Sequence, residues 1–301
     1  MNLKVTLFLL LLAVFWGSAF PLIKIGLEDF SPGHLTLIRF IVASACFAPY
    51  LYFTNSTLFP KLRDIPYFFL LGLLGITIYH TALNFGELYV TAGAASLIIA
   101  TAPAISAVLA YFFLSDRLPL MGWVGTLVSF FGVFLIVMGE DEGLSFNPYA
   151  LLILLSAVVT AFFVVLQKPM LERYKSAEVS AFATWAGTVP LFVFAPGFVG
   201  EVGAASTAPL LAAIYIGVFP AAISYAIFSY ALSKAPVTVV TAFLYTVPVF
   251  SIFFSWLLID EVPTYLTLIG GVVAILGIVM VNWAKRRVRV AARHASPSAA
   301  R

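Results

Sequence analysis

Apolar residues in this chain do not alternate with polar ones. They run on for about 20 positions at a time and are then broken by short clusters containing Pro, Gly or charge. A bilayer's hydrocarbon core is crossed by ~20 helical residues, so each run has the length of a membrane span. The breaks predict ten helices, at about 4–27, 32–53, 65–86, 90–113, 119–138, 148–171, 177–196, 208–232, 236–258 and 264–283. Continuous runs exclude a transmembrane β-barrel, whose strands alternate. Ser31-Pro32-Gly33 and Asn147-Pro148 stand where helices should start. The connections leave no room for a soluble domain. The first run continues through Ile25, which reads as an uncleaved helix rather than a signal peptide.

Composition agrees with the pattern. The chain is 62% hydrophobic and 10% charged, against roughly 25% charged in soluble domains. It cannot present a solvated surface, so its first partner is the lipid bilayer. Cys46 is the only cysteine, which rules out an internal disulfide and reads as packing. The placement of charge is more telling than the net +3. With a cytoplasmic N-terminus, the inner loops and tail hold all 16 Lys and Arg except Lys24 and Arg39. The loops at Glu140-Asp141-Glu142 and Glu201 would lie outside and carry no base. Both termini are therefore expected to be cytoplasmic. Beyond Trp283 the chain turns basic and then Ala/Ser/Pro-rich. That tail is expected to lie against anionic headgroups and to end in disorder.

One stretch occurs twice. Thr101-Ala102-Pro103, Ser106, Asp116, Gly125 and Gly132 are followed, about 145 positions later, by Thr246-Val247-Pro248, Ser251, Glu261, Gly270 and Gly277. Lys24, Leu27 and Glu28 match Lys168, Leu171 and Glu172 at an offset of about 144. The match reads as an internal duplication. Five helices per copy is an odd number, so the copies must enter the membrane from opposite sides, as inverted repeats. The expected architecture is an all-α integral membrane protein. It has ten transmembrane helices in two inverted five-helix repeats, at 1–139 and 140–284, with a basic cytoplasmic tail at 285–301.

The chain resembles the ten-helix, EamA-type members of the drug/metabolite transporter superfamily over roughly residues 4–283. Trp16-Gly17-Ser18-Ala19-Phe20, Leu37-Ile38-Arg39-Phe40 and the duplicated stretches carry the likeness. The resemblance implies transport of small metabolites, often export, by alternating access in a bacterial inner membrane. Within the family the chain looks like exporters of aromatic and other amino acids.

The candidate residues follow from what is costly in lipid. Pro103 and Pro248 fall near mid-helix, where the missing N–H deprives the carbonyls of Ile99 and Leu244 of their usual partners. They are expected to bend two helices beside a midplane cavity and to act as hinges, with hydroxyls of Thr101 and Thr246 helping. His80, Asn84 and Glu87 recur at i, i+4 and i+7 on one face of the third helix, which should point inward. Glu87, at the helix end, is expected to be solvated. Arg39 lies deep in the second helix, and Glu28 or Asp29 is the expected partner, in a structural role.

Substrate contacts are expected from Trp16, Tyr79, His80, Asn84, Thr101, Trp185, Tyr225 and Tyr245, with Tyr230, Ser18, Ser224, Ser229 and Gln167 as further candidates. Trp123, Tyr149, Tyr265 and Trp283 sit at span ends, as interfacial aromatics do. Asp116 and Glu261 stand in short turns before the fifth and tenth helices and are expected to cap them or lock a gate. The glycine pairs at seven-residue spacing read as helix contacts.

No carboxylate sits at mid-membrane, no phosphate loop appears, and no Ser/His/Asp set lies at membrane depth. An enzyme is disfavoured, and no cofactor, metal or nucleic acid is expected. A monomer suffices. The expectation is a secondary transporter exporting amino acids or similar small metabolites. Its cavity would be lined by the third, fourth, eighth and ninth helices with parts of the first, sixth and seventh. Export of a different solute is the alternative, followed by a channel or an intramembrane enzyme.

Overall fold

Every predicted span is built around helix. The computed structural model describes residues 3–114, 119–139, 147–234, 240 and 243–295. The chain forms α1 (Leu3–Gly26), α2 (Pro32–Phe53) and α3 (Leu62–Glu87). Next come α4 (Ala92–Ile99, continued by Ala102–Leu114) and α5 (Leu120–Met138). The second half has α6 (Ala150–Leu171), α7 (Ser176–Leu191), α8 (Thr207–Lys234), α9 (Phe243–Ile259) and α10 (Tyr265–Ala295). No strand occurs among the described residues. Six helices are long and apolar enough to cross a membrane, and shorter apolar helices lie within α4, α5, α9 and α10. Asp116 and the acidic run at 140–142 lie outside the described residues. The backbone of α10 continues through residues read above as a disordered tail, as far as Ala295. Lys, Arg and Ala are good helix formers, and no Gly or Pro interrupts them before Pro297.

Local chemistry sets the helix starts. Pro32 opens α2, and the Ser31 hydroxyl accepts from His34 N–H at 3.4 Å. Thr91 does the same for Ala94 N–H at 3.3 Å in α4. Glu178 of α7 reaches back to the Lys175 N–H at 2.9 Å and takes the Thr57 N–H at 2.9 Å. It thereby ties α7 to the α2–α3 loop. Asp29, in the α1–α2 loop, accepts from the Ser206 hydroxyl at 2.5 Å and its N–H at 2.7 Å. Those two bonds hold its carboxyl below the usual carboxylate range.

Packing repeats between the halves. Gly125 lies against Gly277, and Gly132 against Gly270 and Ala274. As one number rises the other falls, so α5 and α10 run antiparallel. Each is the fifth helix of its half. A Cβ on Gly132 would stand 2.3 Å from Ala274 N, and one on Gly277 2.3 Å from Ser129 N. Only glycine permits this approach. Gly72 meets Gly187 in the same manner, and Gly217, its counterpart, meets Val42. Outward faces carry Leu127, Phe131 and Phe134 on α5, and Val272, Leu276 and Val279 on α10, all exposed. An aqueous surface does not tolerate such a band, whereas lipid covers it.

The duplicated stretches break their helices rather than bending them. In α4 the helix stops at Ile99 and restarts at Ala102, with Pro103 in the first turn of the new segment. In α9 a 3-10 turn at Phe243–Thr246 leads into the helix starting at Val247, with Pro248 again in the first turn. A first-turn proline loses no hydrogen bond of its own. The threonines act alike: Thr101 donates to Ile98 O at 2.6 Å, and Thr246 to Phe243 O at 2.7 Å. The acceptors sit one residue before those expected from the sequence.

Glu261 caps a helix, but not the one that follows it. Its Oε2 accepts from Ala92 N–H at 2.8 Å, at the start of α4 in the other half. Its Oε1 lies 3.7 Å from Lys24 Nζ. A loop carboxylate can serve any helix N-terminus within reach, and the fold brings that of α4. Replacing Glu261 with alanine is expected to cost ~1 kcal/mol, measured as thermal stability in detergent. An unchanged melting temperature would show that the cap contributes nothing.

Candidate functional site

Two π-helical turns prepare the centre of the molecule. Leu73–Ile78 in α3 and Gly217–Ile223 in α8 are wound more widely than the α-helix around them. They occupy equivalent places in the two halves. In α8 the cause is Pro220, which has no N–H for the regular ladder. Such turns free carbonyls for other donors. Gly75 O accepts from Tyr225 Oη at 3.1 Å, and Pro220 O accepts from Trp16 Nε1 at 2.9 Å. Both donors line the same cavity.

That cavity has about 770 Å³ of empty space, counting its open side. Its walls come from α1, α2, α3, α4, α6, α8 and α9. Trp16, Phe20, Phe163 and Phe228 supply aromatic surface; Tyr79, His80, Ser96, Thr160 and Tyr225 supply polar atoms. Ile99 and Leu244, the residues whose carbonyls face Pro103 and Pro248 across one helical turn, line it as well. α7 gives no lining residue, contrary to expectation, and α2 contributes in its place. The reason is that α7 is held on α2: Trp185 Nε1 donates to Ser44 O at 3.2 Å, and the Ser44 and Thr188 hydroxyls are 3.1 Å apart.

The eight residues read from the sequence as substrate contacts thus divide. Trp16, Tyr79, His80 and Tyr225 surround the cavity. Asn84 does not: its Nδ2 donates to Thr36 Oγ1 at 2.8 Å, cross-linking α3 to α2. Thr101 spends its hydroxyl on the helix break. Trp185 belongs to the α2–α7 contact, and Tyr245 is half-buried but not in the lining. Of the further candidates, Tyr230 meets the Phe8 ring edge-on outside the lining, and the other four are engaged internally. Ser18 donates to Phe15 O, Ser224 donates to Phe219 O, and Gln167 and Ser229 are bonded at 3.0 Å.

His80 Nε2 lies 3.0 Å from Tyr225 Oη, joining two positions that are equivalent in the halves. Tyr225 has one proton, and assigning it to Gly75 O, which can only accept, makes both contacts hydrogen bonds. In that network His80 donates from Nε2, so its Nδ1 carries the lone pair. Nδ1 is buried and has no protein partner.

Two charges depart from expectation. Glu87 is not solvated; it is fully buried and neither carboxylate oxygen has a partner. The charged groups near it are Lys24, Glu261 and Arg39. Arg39 does not pair with Glu28, which is exposed, or with Asp29, which holds Ser206. It is 2% exposed and lines the cavity, with Nε and Nη1 buried and unpartnered. Sequence reasoning assigned Arg39 a structural role. Its depth in α2 was the signal that it faces an interior space.

A model of the EamA-like transporter family matches residues 3–138 and 147–283. The chain belongs to the EamA-like transporter family. Among similar proteins, an uncharacterized transporter of Bacillus subtilis is 38% identical over 87% of this chain and 86% of its own length. A probable terminal-alkyne amino-acid exporter of Streptantibioticus cattleyicolor is 35% identical, covering 91% and 92%. An uncharacterized transporter of Archaeoglobus fulgidus is 30% identical, covering 93% and 99%. One solved crystal structure matches with a TM-score of 0.69 over 96% of this chain and 99% of the other. At 16% identity that likeness speaks to fold alone. EamA-like membership and the apolar helices make this a multi-pass membrane transporter, and the central cavity is its candidate binding site.

Proposed function

We propose that this chain is a secondary transporter that exports amino acids, aromatic and other neutral ones, or similar small metabolites across the bacterial inner membrane. The observation that carries the reading is the central cavity, built from both halves and bordered by the two broken helices. Aromatic walls suit an apolar side chain, and the polar atoms at Tyr79, His80, Tyr225 and Arg39 suit a charged head. The amino-acid exporter among its relatives supports the same class. In this reading residues 1–139 and 140–284 are inverted repeats with both termini cytoplasmic, an orientation that the charge distribution supports. They rock about the cavity, and the breaks at Pro103 and Pro248 serve as hinges. Chemistry is not needed: the solute crosses unchanged.

Counterflow of labelled phenylalanine or threonine in proteoliposomes tests this. Flux is expected with the wild-type protein and not in empty liposomes. Trp16→Ala is expected to lower it about tenfold or more through loss of an aromatic wall. Equal flux in empty liposomes would sink the amino-acid reading, and a panel of other small solutes would then locate the alternative substrate.

A further inference from the structure

We propose that Arg39 and His80 form a head-group site for an α-amino acid, in which the Arg39 guanidinium holds the carboxylate and His80 Nδ1 accepts from the ammonium group. The inference rests on the amino-acid reading above and assigns its atoms. Among the lining residues, these two side chains carry the buried polar atoms that have no partner. Tyr225 is spent on Gly75 and His80 Nε2, and Trp16 on Pro220. Arg39 Nε and Nη1 and His80 Nδ1 are buried without a partner.

A guanidinium has five N–H donors and stays charged, and burying it unpaired is costly. Among the described residues it makes no ion pair. Glu87, Tyr79 and Tyr225 are near enough to act on it electrostatically, but none bonds to it. The remaining partner is a solute anion, and a carboxylate fits either fork of the guanidinium, Nε with Nη2 or Nη1 with Nη2, in a bidentate pair.

His80 and Arg39 both lie against the Phe40 ring, and both line the cavity. The Phe40 ring, next to Arg39 in the chain, is 4.6 Å from the His80 ring, and the Arg39 guanidinium carbon is 5.6 Å from the Phe40 centroid. An α-amino acid bears its carboxylate and ammonium on one carbon, so it needs a donor fork and an acceptor side by side. The side chain of the solute then points toward Trp16, Phe163 and Phe228.

The test uses the purified full-length protein in detergent and follows its thermal stabilisation by four solutes. These are phenylalanine, phenylalaninamide and phenethylamine, which lack the carboxylate, and 3-phenylpropionate, which lacks the ammonium. Phenylalanine is expected to bind about 10- to 100-fold more tightly than the other three. Arg39→Gln is expected to erase its advantage over phenethylamine. His80→Gln retains a group to meet Tyr225 and removes the Nδ1 acceptor, so it should erase the advantage over 3-phenylpropionate.

If Arg39→Gln does not fold, Arg39→Lys decides. It is expected to keep the preference for carboxylate with affinity lowered about tenfold, and unchanged affinity would overturn the bidentate role. Phenylalanine and phenethylamine binding equally in wild type and variant would sink the head-group site while leaving the amino-acid reading intact. Arg39-dependent binding of 3-phenylpropionate alone would sink the amino-acid reading and the His80 role, and would support the carboxylate anchor. No binding of any carboxylate sinks both.

Discussion

Gly132→Leu is expected to prevent a stable fold. The two close helices α5 and α10 touch backbone to backbone at this point. A Cβ on Gly132 would stand 2.3 Å from Ala274 N, 2.6 Å from Gly270 O and 2.7 Å from Ala274 Cα. These are main-chain atoms and cannot swing away as a side chain would. Overpacking of this kind costs ~1–3 kcal/mol for small insertions and more for a bulky one. Membrane helices gain little from hydrophobic exclusion of each other, so lost contact is not regained elsewhere. The expected result is a fall in melting temperature in detergent, with aggregated material on size exclusion. Gly200→Ala is the control, since a Cβ there meets nothing within 4 Å. If Gly132→Leu melted like that control, the close contact of α5 and α10 would not be what holds the two halves together.

The double change Pro103→Ala, Pro248→Ala is expected to leave the protein folded and to reduce transport roughly tenfold or more. Each proline lies in the first turn of a helical segment, where alanine is accepted without loss of a bond. Alanine restores an N–H opposite Ile99 O or Leu244 O, so each broken helix can run through. Continuous helices at these places are stiffer, and Ile99 and Leu244 sit in the cavity wall. The measurement is counterflow in proteoliposomes beside a melting curve of the same preparation. Full flux in the double variant would remove the hinge role of the breaks.

These two predictions draw on what was most readable in the sequence. Glycines seven residues apart in both halves signalled a close helix contact, and glycine reports backbone approach directly. The prolines signalled interrupted helices because the missing N–H is a covalent fact. Side-chain placement was less readable. The face shared by His80, Asn84 and Glu87 was visible from spacing, and all three are indeed buried. What each meets was not visible, since periodicity names a face but not the neighbour. His80 looks onto the cavity, Asn84 onto Thr36, and Glu87 toward Lys24, Glu261 and Arg39. The partner of Arg39 was misread because a charge near a helix end can snorkel outward or turn inward, and only the packing of α1, α3 and α8 decides. Glu261 was assigned to the adjacent helix because sequence distance is the only distance a sequence shows. Its partner Ala92 is 169 positions away.

His80 and Tyr225 are counterparts that touch, and so are Ser44 and Thr188. If the halves are inverted repeats, two equivalent points can meet only on the axis that relates them, and both contacts would mark that axis. Suppose the protein passes between its two access states by letting each half take the shape the other had. A contact on the axis is then its own image and survives the exchange. A contact off the axis is replaced by its mirror at the opposite end. Lys24–Glu261 is of the second kind, and its counterparts in sequence are Lys168 and Asp116. On that supposition the axial pairs would act as a fixed pivot, while the lysine–carboxylate pairs would take turns. The head of a solute held at His80 would remain at the pivot throughout, and only the path on either side of it would open or close.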